Sequence, residues 1–249
     1  MTGDRGDARA GADLTTCGGE PDLATLGSLQ DAFLAAVPAV PPDTRVPWCG
    51  RWRVRHLVVH LARIHHWAAG QARRSQETPL GRGPFVLDEL YGAQARELRE
   101  TLAALDPDAP AWTLDDSRVV RFWHRRQVHE TLVHLWDLRT AGGLPLDVPA
   151  ALWADTVDEV VRVMHPRQVR LGRVGAPDRR IGLAATDVGR AWTVHAADDA
   201  PAAPVVEVAG PAGALALLLW GRTTCDDPRL AVTGDRGTLE AALAPGLTP

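Results

Sequence analysis

Histidine is the residue type that most clearly offers chemistry in this sequence. Most of the nine histidines fall in two segments with helical spacing: His56, His60, His65 and His66 in the first, and His124, His129 and His134 in the second. Imidazole titrates near neutral pH and is the commonest metal ligand in proteins. These two segments are therefore where we expect a metal site or acid–base catalysis.

The second segment places a carboxylate and an imidazole on one helix face. Glu130 and His134 are four residues apart, which makes their side chains neighbours on a helix. At about 100° per residue, Arg126, Glu130, His134 and Asp137 form one polar stripe on an otherwise apolar helix. Such a helix should be buried, and its polar stripe must have partners or line a cavity. The pattern is not the H-E-x-x-H motif, because His129 and His134 are five residues apart.

The first segment offers a third ligand. His60 lies at the edge of an apolar stripe, from which an imidazole can face the interior of a helix bundle. Together with Glu130 and His134 it would make three N/O ligands, the number that a catalytic zinc site uses beside an open position. The spacing leaves alternatives open. His56, four residues before His60, competes as a ligand, His60 is equally suited to bonding a backbone carbonyl in the core, and the Arg126–His134 series also fits a solvated ladder of ion pairs.

Composition restricts the classes of function. All 27 basic residues are arginine, so Schiff-base chemistry and a P-loop lysine are excluded. The net charge is −4, so the protein has no basic field that would attract nucleic acid. The longest charge-free apolar run, Val208–Gly221, is too short to span a bilayer. Three isolated cysteines fit a reducing compartment, and the lack of Lys and Asn is typical of a GC-rich genome, such as an actinobacterial one. We expect a cytoplasmic protein with neither nucleic-acid nor membrane partners.

Periodicity and stop signals predict a helical bundle followed by a small mixed domain. Helices are expected at about 23–37, 53–68, 87–105, 118–140 and 150–164. After residue 175, short alternating segments indicate strands at 180–185, 191–195, 205–208 and 230–232, with helices at 212–220 and 238–243. The predicted organisation is a disordered leader (1–20), a metal-binding helical bundle (21–168) and a small α+β domain (176–246). The fold class is thus α plus α+β.

Several motifs resemble the mycothiol-dependent maleylpyruvate isomerase family, which belongs to the DinB-like metalloenzymes. They are Trp52–His60, Arg125–Asp137, Arg190–His195, Leu217–Arg222 and Thr233–Gly237. The resemblance implies an N-terminal DinB-like four-helix bundle that holds a divalent metal, usually zinc, through His60, Glu130 and His134. It also implies a C-terminal α+β domain in which Arg222 takes part in catalysis.

The resemblance further implies an enzyme that uses mycothiol as cofactor or cosubstrate, either an isomerase or an S-transferase. Zinc would hold the low-molecular-weight thiol as a thiolate for attack on a small-molecule electrophile, and Arg222 would pair with a substrate carboxylate or stabilise enolate charge. Two other functions stay open. One is a metal-dependent hydrolase, lyase or cyclase that uses no thiol, and the other is a non-catalytic ligand-binding module.

Overall fold

Helices packed side by side form the N-terminal part of the chain. The computed structural model describes residues 12–14, 21–194 and 202–248, and the chain divides into the units Met1–Pro149 and Ala150–Pro249. The bundle helices of the first unit are α1 (Leu23–Ala36), α2 (Val54–Arg73), α3 (Leu87–Ala104) and α4 (Arg121–Ala141). Both α1 and α2 pack against α3 and α4, the arrangement of a four-helix bundle. The predicted bundle is confirmed.

Helix α4 is the most buried helix of the bundle, as its composition predicts. Most of its apolar side chains are buried, and Trp123, Leu132 and Leu135 are fully so. The indole of Trp123 still finds a partner, because its Nε1 donates to the carbonyl of Trp112 at 2.8 Å. A helix enclosed in this way carries its polar residues into the interior, where each one needs a partner.

A short parallel pairing ties part of the N-terminal segment to the chain after α4. Strand β1 (Ala12–Asp13) pairs with β2 (Leu146–Asp147), the backbone N–H of Leu14 donates to Asp147 at 3.0 Å, and the Leu14 side chain is buried. For residues 12–14 this corrects the predicted disordered leader, because backbone hydrogen bonds and an apolar side chain hold them. The rest of the predicted leader (1–20) lies outside the described residues.

The second unit combines helices with a mixed sheet. Helix α5 (Ala150–Glu159) continues through a π-helical turn (Val160–Met164) into α6 (His165–Arg170). The sheet has the order β4-β3-β5-β6 and is formed by β3 (Ile181–Ala185), β4 (Arg190–Thr193), β5 (Val206–Gly210) and β6 (Ala231–Gly234). Strand β5 is parallel to β3, and the other neighbouring strands are antiparallel. Helix α7 (Ala212–Leu219) packs on β3 and β5, and helix α8 (Arg236–Leu243) packs on β5. This is the predicted α+β domain, with His195 of its second predicted strand outside the described residues.

The structure assigns α5 to the second unit, whereas the sequence prediction continued the bundle to residue 168. Helix α5 packs against α7, where a Cβ on Gly213 would lie 3.3 Å from the ring of Trp153. Its Asp158 accepts a hydrogen bond from Nε1 of Trp192 in β4 at 3.0 Å. Helical periodicity shows that α5 has a buried face but not which elements cover it, and this explains the difference. No described helix is long and apolar enough to cross a membrane.

Candidate metal centre

The three predicted metal ligands come together in the first unit. The Nε2 atoms of His60 and His134 lie 3.5 Å and 3.3 Å from the same carboxylate oxygen, Oε1 of Glu130. All three ligand atoms lie within 4.8 Å of one another. Among the described residues, this is the group of histidine, cysteine and acidic side chains that is close enough together to hold a metal ion. Two imidazoles and one carboxylate are a donor set that zinc uses in catalytic sites. The residues present therefore fit a divalent metal ion.

Two further residues of the polar stripe support these ligands. Arg126 donates to Oε2 of Glu130, which leaves Oε1 facing the histidines. Asp137 is fully buried and its Oδ2 accepts from Nδ1 of His134 at 2.9 Å, which turns Nε2 of the same ring towards the cluster. A carboxylate behind a histidine ligand fixes the tautomer and the orientation of the ring. The stripe that the sequence predicts is thus buried and fully partnered, not a solvated ladder.

The electrostatics of the cluster favour a cation. Burial raises the pKa of Glu130, but Arg126 and the histidines outweigh it and hold that pKa well below its usual range. Burial lowers the pKa of His134, whereas Asp137 and Glu130 more than compensate and raise it to about 9. A proton on His134 and a metal ion would satisfy the same carboxylates. Metal binding therefore competes with that proton.

His56, the competing ligand in the sequence, has a different contact. It is exposed, and its Nδ1 accepts the backbone N–H of Arg53 at 3.0 Å, which caps the first turn of α2. The residue four positions later, His60, instead turns its ring towards His134, with the ring centroids 5.0 Å apart. The side chain of His60 is 31% exposed, so it forms the accessible side of the cluster.

Two contacts around the cluster were not predicted from the sequence. The thiol of Cys49 donates to Oδ2 of Asp137 at 3.6 Å across a separation of 88 residues. The Nδ1 of His65 donates to Oε1 of Gln127 at 2.9 Å, and burial lowers the pKa of His65 to about 4, so this imidazole is neutral. Neither contact leaves a signal in the sequence, because each joins residues that are far apart along the chain.

A cavity of about 910 Å³ opens beside His60. One side is formed by the first turns of α2 and by the segment before it, where the ring of Trp52 lies 4.8 Å from the ring of His60. The connection between α2 and α3 forms another side, with Phe85 as its largest apolar residue. The cluster is thus accessible from a cavity of the size that small-molecule sites occupy.

The connection between α2 and α3 is held in place by His66. Its Nδ1 lies 2.5 Å from Oε2 of Glu97, and its Nε2 lies 2.8 Å from the carbonyl of Thr78. Both partners are acceptors, so the ring donates from both nitrogens and is an imidazolium. Burial lowers the pKa of His66, but Glu97 and the Thr78 carbonyl raise it above its ordinary value.

We expect His66→Gln to destabilise the protein more at about pH 6 than at about pH 9. The pKa of His66 is raised by folding, so its stabilisation is present below the ordinary pKa and is lost as pH rises through the raised value. Thermal melting at both pH values measures the effect, at roughly 2–4 °C for each kcal/mol. Glu97→Gln should remove the same pH dependence. An equal loss of melting temperature at both pH values in His66→Gln would contradict the prediction.

Arg222 lies three residues after the end of α7 in the second unit. The N–H groups of Arg222 and Gly221 donate to the carbonyls of Leu217 at 2.7 Å and Leu218 at 3.0 Å, and Gly221 has a φ of 66°. A helix that ends in this way requires a residue in the left-handed backbone conformation, which glycine adopts at no steric cost. Arg222 is half-buried, and Nη1 of its guanidinium donates to the carbonyl of Trp220 at 2.7 Å.

The fold and the cluster together define a two-domain protein whose helical bundle carries a candidate His–Glu–His metal centre. Residues 23–139 match the family model described as the mycothiol maleylpyruvate isomerase N-terminal domain, and residues 151–241 match the MDMPI C-terminal domain. The chain therefore belongs to the mycothiol-dependent maleylpyruvate isomerase family, which confirms the predicted resemblance and identifies the protein as an enzyme.

Solved structures share this two-domain fold. A histidine-to-alanine variant of a mycothiol-dependent maleylpyruvate isomerase superposes with a TM-score of 0.62, and a second structure of the mycothiol-dependent maleylpyruvate isomerase with 0.60. Each is 14% identical and covers 86% of this chain and 92% of its own. No curated protein matches the chain. The structural likeness at this identity supports the predicted fold class.

Proposed function

We propose that this chain is a mycothiol-dependent isomerase or S-transferase that activates the thiol at a zinc ion held by His60, Glu130 and His134. The observation that carries the proposal is the convergence of these three ligand atoms within 4.8 Å of one another. The family match is the reason to propose mycothiol as the thiol, because the family is named for mycothiol and for maleylpyruvate isomerisation. A cytoplasmic location stays a prediction from the sequence.

The residues of the cluster have distinct roles in this proposal. A bound zinc ion would lower the pKa of a thiol and keep it as the nucleophilic thiolate near neutral pH. Asp137 keeps the proton of His134 on Nδ1, and Arg126 keeps Glu130 ionised and directs Oε1 towards the histidines. Because His60 is partly exposed while Glu130 and His134 are buried, the thiol approaches from the side of His60.

The family resemblance is the reason to propose a catalytic role for Arg222. In an isomerisation, the thiolate adds to the conjugated double bond, the resulting single bond rotates, and elimination of the thiolate restores the alkene in its trans form. Negative charge builds up on the substrate carbonyl oxygen after addition. A guanidinium can stabilise that charge or pair with a substrate carboxylate through two parallel hydrogen bonds. In an S-transfer the same group would orient the acceptor.

The proposed function predicts that turnover requires the thiol and the metal together. The zinc-loaded full-length protein is assayed with maleylpyruvate, and with a fluorogenic thiol-reactive electrophile, in the presence and absence of mycothiol. We expect turnover only with mycothiol, and loss of that turnover after dialysis against a chelator, with recovery on adding zinc. Metal-dependent turnover of a substrate without any thiol would favour the hydrolase, lyase or cyclase alternative. Ligand binding without turnover would favour the binding module.

A further inference from the structure

The described side chains that line the cavity beside His60 include several arginines and no carboxylate. Its lining includes two histidines and four arginines, and no aspartate or glutamate among the described residues contributes to it. The arginines are Arg51, Arg55, Arg63 and Arg82. A concave surface with charge of one sign concentrates ligands of the opposite sign.

Two of these arginines already have partners. Arg55 forms an ion pair with Asp43, and Arg63 donates to the carbonyl of Gly81 at 2.8 Å. Within the described part of the chain, no carboxylate pairs with Arg51 or Arg82. These two side chains are exposed, so their guanidinium groups stay hydrated until a ligand arrives. The cavity therefore offers two positive groups whose charge no side chain compensates.

The rest of the lining is apolar. Trp52 and Phe85 contribute aromatic rings, and the remaining apolar residues of the lining are Pro42, Val59, Pro84 and Leu87. A free inorganic anion would use the arginines and leave this surface uncovered, whereas a neutral apolar molecule would leave the guanidinium groups without a counter-charge. The volume of about 910 Å³ is at the upper end of the range for drug-sized ligands.

We propose that this cavity binds an organic anion with an apolar body of ring size. The acid group faces Arg51 and Arg82, the body packs against Trp52 and Phe85, and the end away from the acid group reaches His60. The inference rests on the proposed function in one respect, since the bound anion is then the electrophile offered to the thiol. It narrows the expected preference among substrates to acids that carry an apolar body.

The test compares two probes that differ in charge and have the same shape. Binding of naphthalene-2-carboxylate and of its neutral amide to the zinc-loaded full-length protein is measured by calorimetry. We expect the acid to bind at least about tenfold more tightly than the amide, the effect of one charge-assisted hydrogen bond. The double variant with Arg51→Gln and Arg82→Gln should lose this preference and bind the amide as before. Phe85→Ala should weaken the binding of both probes.

Controls separate this inference from general surface charge and from the proposed function. Arg96→Gln, at an exposed arginine of α3 outside the cavity, should keep the preference for the acid. Equal affinity for acid and amide, or an unchanged preference in the double variant, overturns the inference. Both probes are also measured after zinc removal. If the protein prefers the acid but shows no thiol-dependent turnover, the cavity assignment stands and the proposed function is rejected. If turnover depends on the thiol but the protein does not prefer the acid, only the cavity assignment is rejected.

Discussion

Glu130→Ala is expected to abolish zinc binding by this protein. We expect the wild-type chain to hold about one zinc ion with an open coordination position. His60→Ala, Glu130→Ala and His134→Ala should each weaken zinc binding more than about 100-fold, since loss of a residue that merely supports a ligand costs about 10–100-fold. Elemental analysis of the purified proteins and competition with a chromophoric chelator measure the effect. Thiol-dependent turnover should disappear with the metal.

Two matched variants give this prediction its controls. His56→Ala should keep its zinc, because His56 caps α2 and lies outside the cluster. Asp137→Asn should show an intermediate loss of about 10–100-fold, because Asp137 orients His134 without contributing a ligand atom to the cluster. Retention of zinc in Glu130→Ala together with its loss in His56→Ala would show that the ligand set is wrong.

Removal of Glu130 also affects the stability of the metal-free protein. Arg126 is buried beside it, and a buried charge whose partner is removed costs about 3–5 kcal/mol. Glu130→Gln keeps the shape and an oxygen near Arg126, so it should lose zinc with a smaller loss of melting temperature than Glu130→Ala. Melting curves of the chelator-treated variants therefore separate loss of the ligand from loss of the fold.

Arg222→Ala is expected to reduce turnover on the order of 100-fold, the cost of removing one charge-stabilising group from an active site. Zinc content should not change, because Arg222 is not one of the three residues of the cluster. Arg222→Lys should be a poor substitute, since an ammonium lacks the planar pair of donors that a carboxylate accepts. Steady-state kcat and KM, with zinc content measured on the same samples, test the prediction.

A structural role of Arg222 would give a different result. Its guanidinium donates to the carbonyl of Trp220 and lies 5.8 Å from the centre of that ring, so a structural role would lower the melting temperature of Arg222→Ala. Arg229→Lys, at an arginine of the same unit that pairs with Asp227, serves as the control and should keep wild-type turnover. Near-normal turnover in Arg222→Ala would reject the catalytic assignment.

The sequence was sufficient to predict the bundle, the small mixed domain and the polar stripe of α4. Each of these predictions follows from periodicity, which is a local property of the chain. A helix that is apolar on nearly all sides must be buried, and the spacing of Glu130 and His134 then places both side chains together in the interior. The positions of α1 to α4 were predicted to within a few residues for the same reason.

Only the tertiary structure decided which side chains meet. Whether His56 or His60 lies beside His134 depends on the cap at the start of α2 and on the direction of α4. The contact of Cys49 with Asp137 depends on bringing together two residues that are 88 positions apart in the chain. The assignment of α5 and the cavity beside His60 have the same origin. Periodicity states how much of an element is buried, whereas the partner across the interface is set by packing between residues distant in the chain, which leaves no periodic signal.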